Sequence, residues 1–227
     1  MTGELADRLA AAQSAVADAA RQAGRDAAEI TTVVVTKFHP AALVRELADL
    51  GVRDFGENRH QDAAPKAREL SDLDLRWHFV GQLQSKKARA ALEYASVVHS
   101  VDRTSLVAAL DAPGDGAETV DAFIQLNLTS DPARGGVQPQ ELEALTQAVL
   151  AASRIRLLGL MAVAPVDEEP RAAFARVREA SERLRALAPD AAFLSMGMSG
   201  DFREAVLEGA THLRIGTAIT GNRPPHG

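Results

Sequence analysis

The spacing of apolar positions changes several times along the chain, and each change marks an element. Leu5, Leu9, Ala12 and Val16 recur at helical spacing, and the pattern stops at Gly24, which predicts an N-terminal helix. Residues 30–37 (ITTVVVTK) are apolar and β-branched almost throughout, as in a strand covered on both faces. Pro40 then stands at a helix start, and AALVRELADLG carries a helix to Gly51. From there the two kinds of segment alternate. Further strands are predicted over 52–58, 76–81, 95–101, 119–128, 154–163, 191–198 and 211–219. The helices between them fall at 59–70, 85–94, 103–110, 139–152, 168–188 and 201–208.

Strict alternation argues for a parallel sheet, because parallel neighbours need a helical crossover. Eight such units predict an α/β fold, a single (β/α)₈ TIM-type barrel with an extra N-terminal helix. The rival is an open doubly wound sheet, whose glycine-rich turn would follow the first strand. Here that turn reads TKFHP, which favours the barrel. One domain is expected over residues 1–221, with a disordered tail at 222–227. The Gly/Pro-rich stretches 111–118 and 129–138 are read as surface connections.

Composition narrows the chemistry. With 46% hydrophobic and 25% charged residues, the 227-residue chain is of ordinary globular composition. A net charge of −6 gives no cationic field for nucleic acid or an anionic membrane. Without cysteine there is no disulfide, thiolate metal site or cysteine nucleophile. No signal peptide or membrane-length apolar run is present, so a cytoplasmic setting is expected. The six histidines are scattered and suggest no metal site, and the arginines of 171–185 are interspersed with Glu179 and Glu182. Asp167, Glu168 and Glu169 read as a solvated helix start.

In a barrel the chemistry sits where strands end at their C-terminal side. Those ends carry Lys37, Glu57 and Asn58, His78 with Gly81, His99, Asn127, Met161, the 195–200 run and residues 214–217. Lys37 closes a strand expected to be buried, where an ammonium is costly unless paired. It either makes a buried ion pair, or acts as an amine nucleophile toward a carbonyl, or the strand ends one residue earlier and Lys37 projects into solvent. Lys66, Lys86 and Lys87 lie on polar helical stretches and read as solvated charges. The runs Ser195-Met-Gly-Met-Ser-Gly-Asp201 and Arg214-Ile-Gly-Thr217 follow the last two strands, where phosphate sites recur in such barrels. Capping of the following helix by Ser199 or Gly200 would use the same groups.

A carbonyl-seeking lysine facing a phosphate cup points to a sugar phosphate or to pyridoxal 5′-phosphate. Arg214 could contact the phosphate, approach a pyridine nitrogen, or pair with a neighbouring carboxylate. Beside a pyridine nitrogen, arginine leaves it unprotonated and the ring a weak electron sink.

Thr36-Lys37, Phe55-Gly-Glu-Asn58, Trp77-His-Phe-Val-Gly-Gln-Leu-Gln84, Gly159-Leu-Met161, Ser195-Met-Gly-Met-Ser199 and Arg214-Ile-Gly-Thr217 together resemble the YggS/PROSC family. Its members are pyridoxal phosphate homeostasis proteins, related to the N-terminal barrel of alanine racemase. The resemblance covers roughly residues 30–221. It implies a pyridoxal 5′-phosphate cofactor held as an aldimine on Lys37. The implied binding set is Lys37, Asn58, His78, Met198, Ser199, Gly200, Arg214, Gly216 and Thr217, with phosphate contacts from Ser199, Gly216 and Thr217. Arg214 would lie near the pyridine nitrogen and Asn58 beside the ring, while His78 is a packed core histidine or a cofactor contact. Phe38-His39-Pro40, Ser85-Lys86-Lys87 and Gly200 depart from the family pattern at the rim.

Related racemases need a second acid–base group, typically a tyrosine from a further domain. The sequence runs only a few residues beyond the eighth strand, and its one tyrosine, Tyr94, reads as a packing residue. The expectation is therefore a carrier taking part in vitamin B6 homeostasis and not an enzyme, with pyridoxal-phosphate-dependent apo-enzymes as partners and a monomeric state. The alternatives are a weak amino-acid racemase and a cofactor-free Schiff-base aldolase acting on a sugar phosphate.

Overall fold

The computed structural model describes residues 2–112 and 119–222. Residues 223–227, most of the stretch expected to form a disordered tail, and 113–118 of the Gly/Pro-rich connection lie outside the described residues. In chain order the elements are α1 (Thr2–Gln22), β1 (Thr31–Val35), α2 (Ala41–Asp49), β2 (Asp54–Glu57), α3 (His60–Glu69), β3 (Arg76–Phe79), α4 (Ala88–Ala91) and β4 (Ala95–Val101). They continue with α5 (Thr104–Asp111), β5 (Val120–Gln125), α6 (Leu142–Ala151), β6 (Ile155–Met161), α7 (Pro170–Arg185), β7 (Phe193–Met198), α8 (Phe202–Leu207), β8 (His212–Ile215) and α9 (Thr217–Thr220).

The eight strands form a closed parallel barrel in sequence order. β8 closes on β1 in the register Thr31↔His212 to Val34↔Ile215. The strand period of two separates the two faces. Val34, Phe55, Val98, Leu194 and Leu213 turn outward into the apolar layer beneath the helices. Val97, Phe123, Leu158 and Met161 form a separate apolar cluster. The alternate positions of the other strands place His78, His99, Ser195 and Arg214 in the same interior, all buried. An interior this polar is costly unless each group is paired.

α1 packs along α2, α8 and α9 and buries Leu5, Leu9, Val16, Ala19 and Ala20. Arg8 Nε donates to the Ile219 carbonyl (2.8 Å) and Arg25 Nη1 to that of Ala210 (2.7 Å), which pins the helix to the end of the chain. α7 begins with Pro170 after Glu169, whose side chain caps the Ala172 amide. Arg171 and Arg178 on α7 both pair with Glu208. No helix among the described residues is long and apolar enough to cross a membrane.

Three boundaries differ from the sequence pattern. The 85–94 segment is a 3-10 turn followed by the one-turn α4. β8 ends at Ile215 and turns into α9 where the apolar run 211–219 reads as one strand. β1 ends at Val35, short of Lys37, although the Thr36 amide still donates to the Gly56 carbonyl (3.0 Å).

Candidate functional site

The turn after β1 sets the site. Lys37 is half-buried at the C-terminal mouth of the barrel, so it is neither a strand residue nor a fully solvated one. Phe38 follows with φ of 70°, the only non-glycine residue in the left-handed region among those described. That conformation costs on the order of 1–2 kcal/mol for an L side chain and is sustained by its surroundings. The His39 amide donates to the Thr36 carbonyl (3.0 Å), and the Arg59 guanidinium lies 5.7 Å from the Phe38 ring centroid.

Behind this turn lies a buried ion pair. Lys66 on α3 donates to Glu57 Oε1 (2.7 Å) and to the Thr36 carbonyl (2.9 Å), and the Thr36 hydroxyl donates to the same Glu57 oxygen (2.8 Å). Lys66 is thus not the solvated charge that its polar helix suggests. Its helix turns it inward against the β1–β2 edge, where Glu57 needs a partner. Burial pushes the Glu57 carboxyl above its ordinary value, with Lys66 and Thr36 opposing. His39 is pushed down by burial and by the charge of Lys66. Lys86 and Lys87 are exposed.

Gly81 brings the β3 loop against β2, since a Cβ there would overlap the Asn58 carbonyl. Asn58 Oδ1 is buried and has no hydrogen-bond partner among the described residues, an acceptor left open at the mouth.

Arg214 forms the floor. It is buried, with Nη1 donating to Ser195 O and Oγ (both 2.7 Å) and Nη2 to the Ala162 carbonyl (2.9 Å). None of these partners is a carboxylate, so the ion-pair reading of this arginine does not hold. Burial pulls its pKa down to about 10, against the opposing charge of Asp201. Its Nε makes no hydrogen bond among the described residues, which leaves one donor open.

The loops after β7 and β8 join through Ser199 Oγ, which accepts from the Ala218 amide at 3.4 Å. Ser199 and Gly200 do not cap α8. Asp201 is its N-cap residue, and Asp201 Oδ1 accepts from the Met198 amide (2.6 Å). The amides of Ser199, Gly200, Gly216 and Thr217 make no hydrogen bonds among the described residues. Four open N–H groups with the Ser199 and Thr217 hydroxyls form a donor-rich cradle of the kind that holds phosphate oxygens. Met198 is partly exposed on its edge, and a Cβ on Gly200 would meet nothing.

His78 lies a layer lower. Its Nε2 is 2.9 Å from Asp54 Oδ1 and its Nδ1 is 2.8 Å from His99 Nε2, so both ring nitrogens are engaged inside the barrel. Asn127 organises the 129–138 loop by accepting from the Thr129 amide and donating to the Asp131 carbonyl, both at 2.9 Å. Sequence reasoning missed Lys66 and the Asp54–His78–His99–Ser195 contacts. The inward register of 54, 78, 99, 195 and 214 on their strands was the available signal.

A cavity of about 600 Å³ lies elsewhere, between α1 and the N-terminal ends of β1 and β2. Its lining is largely aliphatic, with Arg53 and Asp54 as its charged groups and no amine nucleophile. Lys37, Asn58 and the loops carrying Ser199 and Thr217 lie instead at the opposite, C-terminal mouth. No cluster of three or more potential metal ligands occurs among the described residues.

A closed parallel barrel of eight strands surrounded by helices defines the class of fold to which alanine racemase barrels belong. The alanine racemase N-terminal domain family matches residues 8–224. The pyridoxal phosphate homeostasis protein of Pseudomonas aeruginosa is 42% identical over 223 residues, covering 96% of both chains. That of Escherichia coli is 36% identical over 227 residues, covering 97% of both. PipY of Synechococcus elongatus, solved with pyridoxal phosphate bound, has a TM-score of 0.84 at 38% identity, covering 96% of this chain and all of that one. The chain belongs to the alanine racemase N-terminal domain family, in its branch of pyridoxal phosphate homeostasis proteins. Alanine racemase of Corynebacterium glutamicum shares the fold at 20% identity, with a TM-score of 0.71 over 63% of its chain.

Proposed function

We propose that this chain binds pyridoxal 5′-phosphate reversibly at the C-terminal mouth of the barrel and serves as a carrier in intracellular vitamin B6 homeostasis. The observation that carries the reading is the convergence of Lys37, the open Arg214 Nε and four open amide N–H groups on one mouth. PipY, at 38% identity, was solved with that cofactor bound. Residues 1–221 act as one cofactor-binding unit.

Pyridoxal phosphate supplies an aldehyde that a lysine amine captures reversibly with loss of water. Lys37 provides the amine, held in place by the turn that Lys66, Thr36 and Glu57 brace. Arg214 orients the ring through Nε and, as a group that only donates, leaves the ring nitrogen without a proton. Asn58 flanks the ring. Ser199, Gly200, Gly216 and Thr217 take the phosphate, and Met198 lies on its rim. His78 acts from below, through His99 and Ser195.

The same residues argue against efficient amino-acid chemistry. Tyr94, the single tyrosine, stacks on His60 with ring centroids 5.9 Å apart, and burial together with the charge of Glu57 keeps its hydroxyl protonated. The protein works as a cytoplasmic monomer that hands its cofactor to apo-enzymes. Absorbance titration with pyridoxal phosphate tests the reading. A visible band is expected in the wild type and not in Lys37→Ala, and a wild type that develops none overturns it.

A further inference from the structure

Arg214 is a buried cation whose hydrogen-bond partners are all neutral; the charge of Asp201 supports it from one side, and a chain of buried polar groups leads from it through the interior of the barrel. Ser195 Oγ accepts from Arg214 Nη1 (2.7 Å) and lies 2.7 Å from His99 Nδ1. His99 Nε2 lies 2.8 Å from His78 Nδ1, and His78 Nε2 lies 2.9 Å from Asp54 Oδ1. With both buried rings neutral, the two ends set the protons between them. Arginine only donates, so Ser195 Oγ accepts from it and keeps its own hydrogen available for His99 Nδ1. Asp54, held ionised below its ordinary value by His78, only accepts, so His78 must carry its proton on Nε2. His78 Nδ1 then accepts, and His99 carries its proton on Nε2. Both imidazoles are neutral, and all four hydrogen bonds point the same way, from the cation to the carboxylate.

Burial lowers the pKa of both histidines, as a chain of neutral rings requires. The other charged or titratable groups acting on them are Arg76, Asp121 and His212, and His212 is itself pushed down to about 4 by burial. Aligned hydrogen bonds polarise one another, which adds to the support that Asp201 gives the guanidinium. Asp54 also lines the cavity at the N-terminal end of the barrel, so the chain runs through the interior from one end to the other.

We infer that Asp54, His78, His99 and Ser195 are positioning residues, a one-directional hydrogen-bonded chain that gives Arg214 a remote counter-ion and fixes its Nε at the floor of the site. The inference rests on the reading of Arg214 as a cofactor contact.

Histidine-selective ¹⁵N NMR of the cofactor-free protein tests the chain. His78 and His99 are expected as neutral Nε2–H tautomers from pH 5 to 8, and an Nδ1–H tautomer or a titration of either ring in that range overturns the inference. Asp54→Asn keeps shape and acceptor while removing the charge, and Ser195→Ala cuts the chain at Arg214. In each, exchange of the Arg214 Nε–H with solvent is expected to quicken about tenfold or more, a loss of roughly 1.4 kcal/mol of local order. Unchanged exchange in both variants overturns the proposal even if one of them is less stable. The site reading is checked separately, by the visible band after pyridoxal phosphate is added to the wild type. A missing band with the expected tautomers refutes the cofactor, while a normal band with other tautomers refutes the chain.

Discussion

Replacing Lys66 by methionine keeps the length and apolar stem of the side chain and removes its charge. Glu57 would then keep one hydrogen-bond partner among the described residues, the Thr36 hydroxyl, for a carboxylate whose side chain is 1% exposed and whose Oε2 makes no hydrogen bond among them. The Lys66 side chain is itself only 11% exposed, so solvent does little to screen the loss. Removing one member of a buried pair costs about 3–5 kcal/mol, which for a chain of this size lowers the melting temperature by about 10 °C. The cost depends on pH, and the sign follows from Glu57. Burial holds its folded pKa above the ordinary 4.5, so the folded state loses stability as pH rises through the window above that value. Without Lys66 its charge and its hydrogen bond no longer oppose burial and only the Thr36 hydroxyl does, so the folded pKa climbs further and the penalty for ionisation extends toward neutrality. Urea unfolding at pH 5 and pH 8 should therefore show a gap between wild type and Lys66→Met that is smaller at pH 5 by about 1 kcal/mol or more. The double variant Glu57→Gln, Lys66→Met should recover at least half of the loss, because no unpaired charge remains. An equal gap at both pH values, or a double variant as unstable as the single, would refute the reasoning.

Further predictions concern the rim and the chemistry. Ser199→Ala removes a hydroxyl from the donor cradle and should weaken binding of pyridoxal phosphate by about tenfold, with pyridoxal lacking the phosphate unaffected, as read by fluorescence titration of both aldehydes. Gly81→Ala drives a methyl group into the Asn58 carbonyl and should cost about 2 kcal/mol or more in thermal unfolding while weakening cofactor binding. In deuterium oxide the loaded protein should exchange the α-hydrogen of alanine no faster than free cofactor does, measured by proton NMR, and exchange lost in Lys37→Ala would support the racemase reading instead.

The sequence carried the barrel because every strand bore its own signal. Eight apolar runs with helices between them leave few topologies, and β-branched β1 and the almost wholly buried β4 and β6 met that pattern directly. Lys37, Arg214 and the Ser199 loop were legible because a charge or a glycine-rich turn at the end of an apolar strand is conspicuous. Lys66 was not, since HQDAAPKARE reads as polar all round and only its packing shows that Lys66 and Ala67 are buried. The interior chain was hidden for another reason. Asp54, His78, His99 and Ser195 lie on four different strands, and the inter-strand register that joins them appears in no local pattern. The end of β1 likewise depends on the left-handed Phe38, a conformation that phenylalanine does not advertise.

The central claim is that Lys37 is the amine that takes up pyridoxal phosphate. The chain contains only four lysines, at 37, 66, 86 and 87, which makes the assignment direct. The protein is mixed with one equivalent of pyridoxal phosphate, reduced with borohydride and digested, and the peptides are mapped by mass. The account predicts a phosphopyridoxyl group on the peptide containing Lys37 and on no other at that stoichiometry. The label on Lys66, Lys86 or Lys87, or its absence, would contradict it.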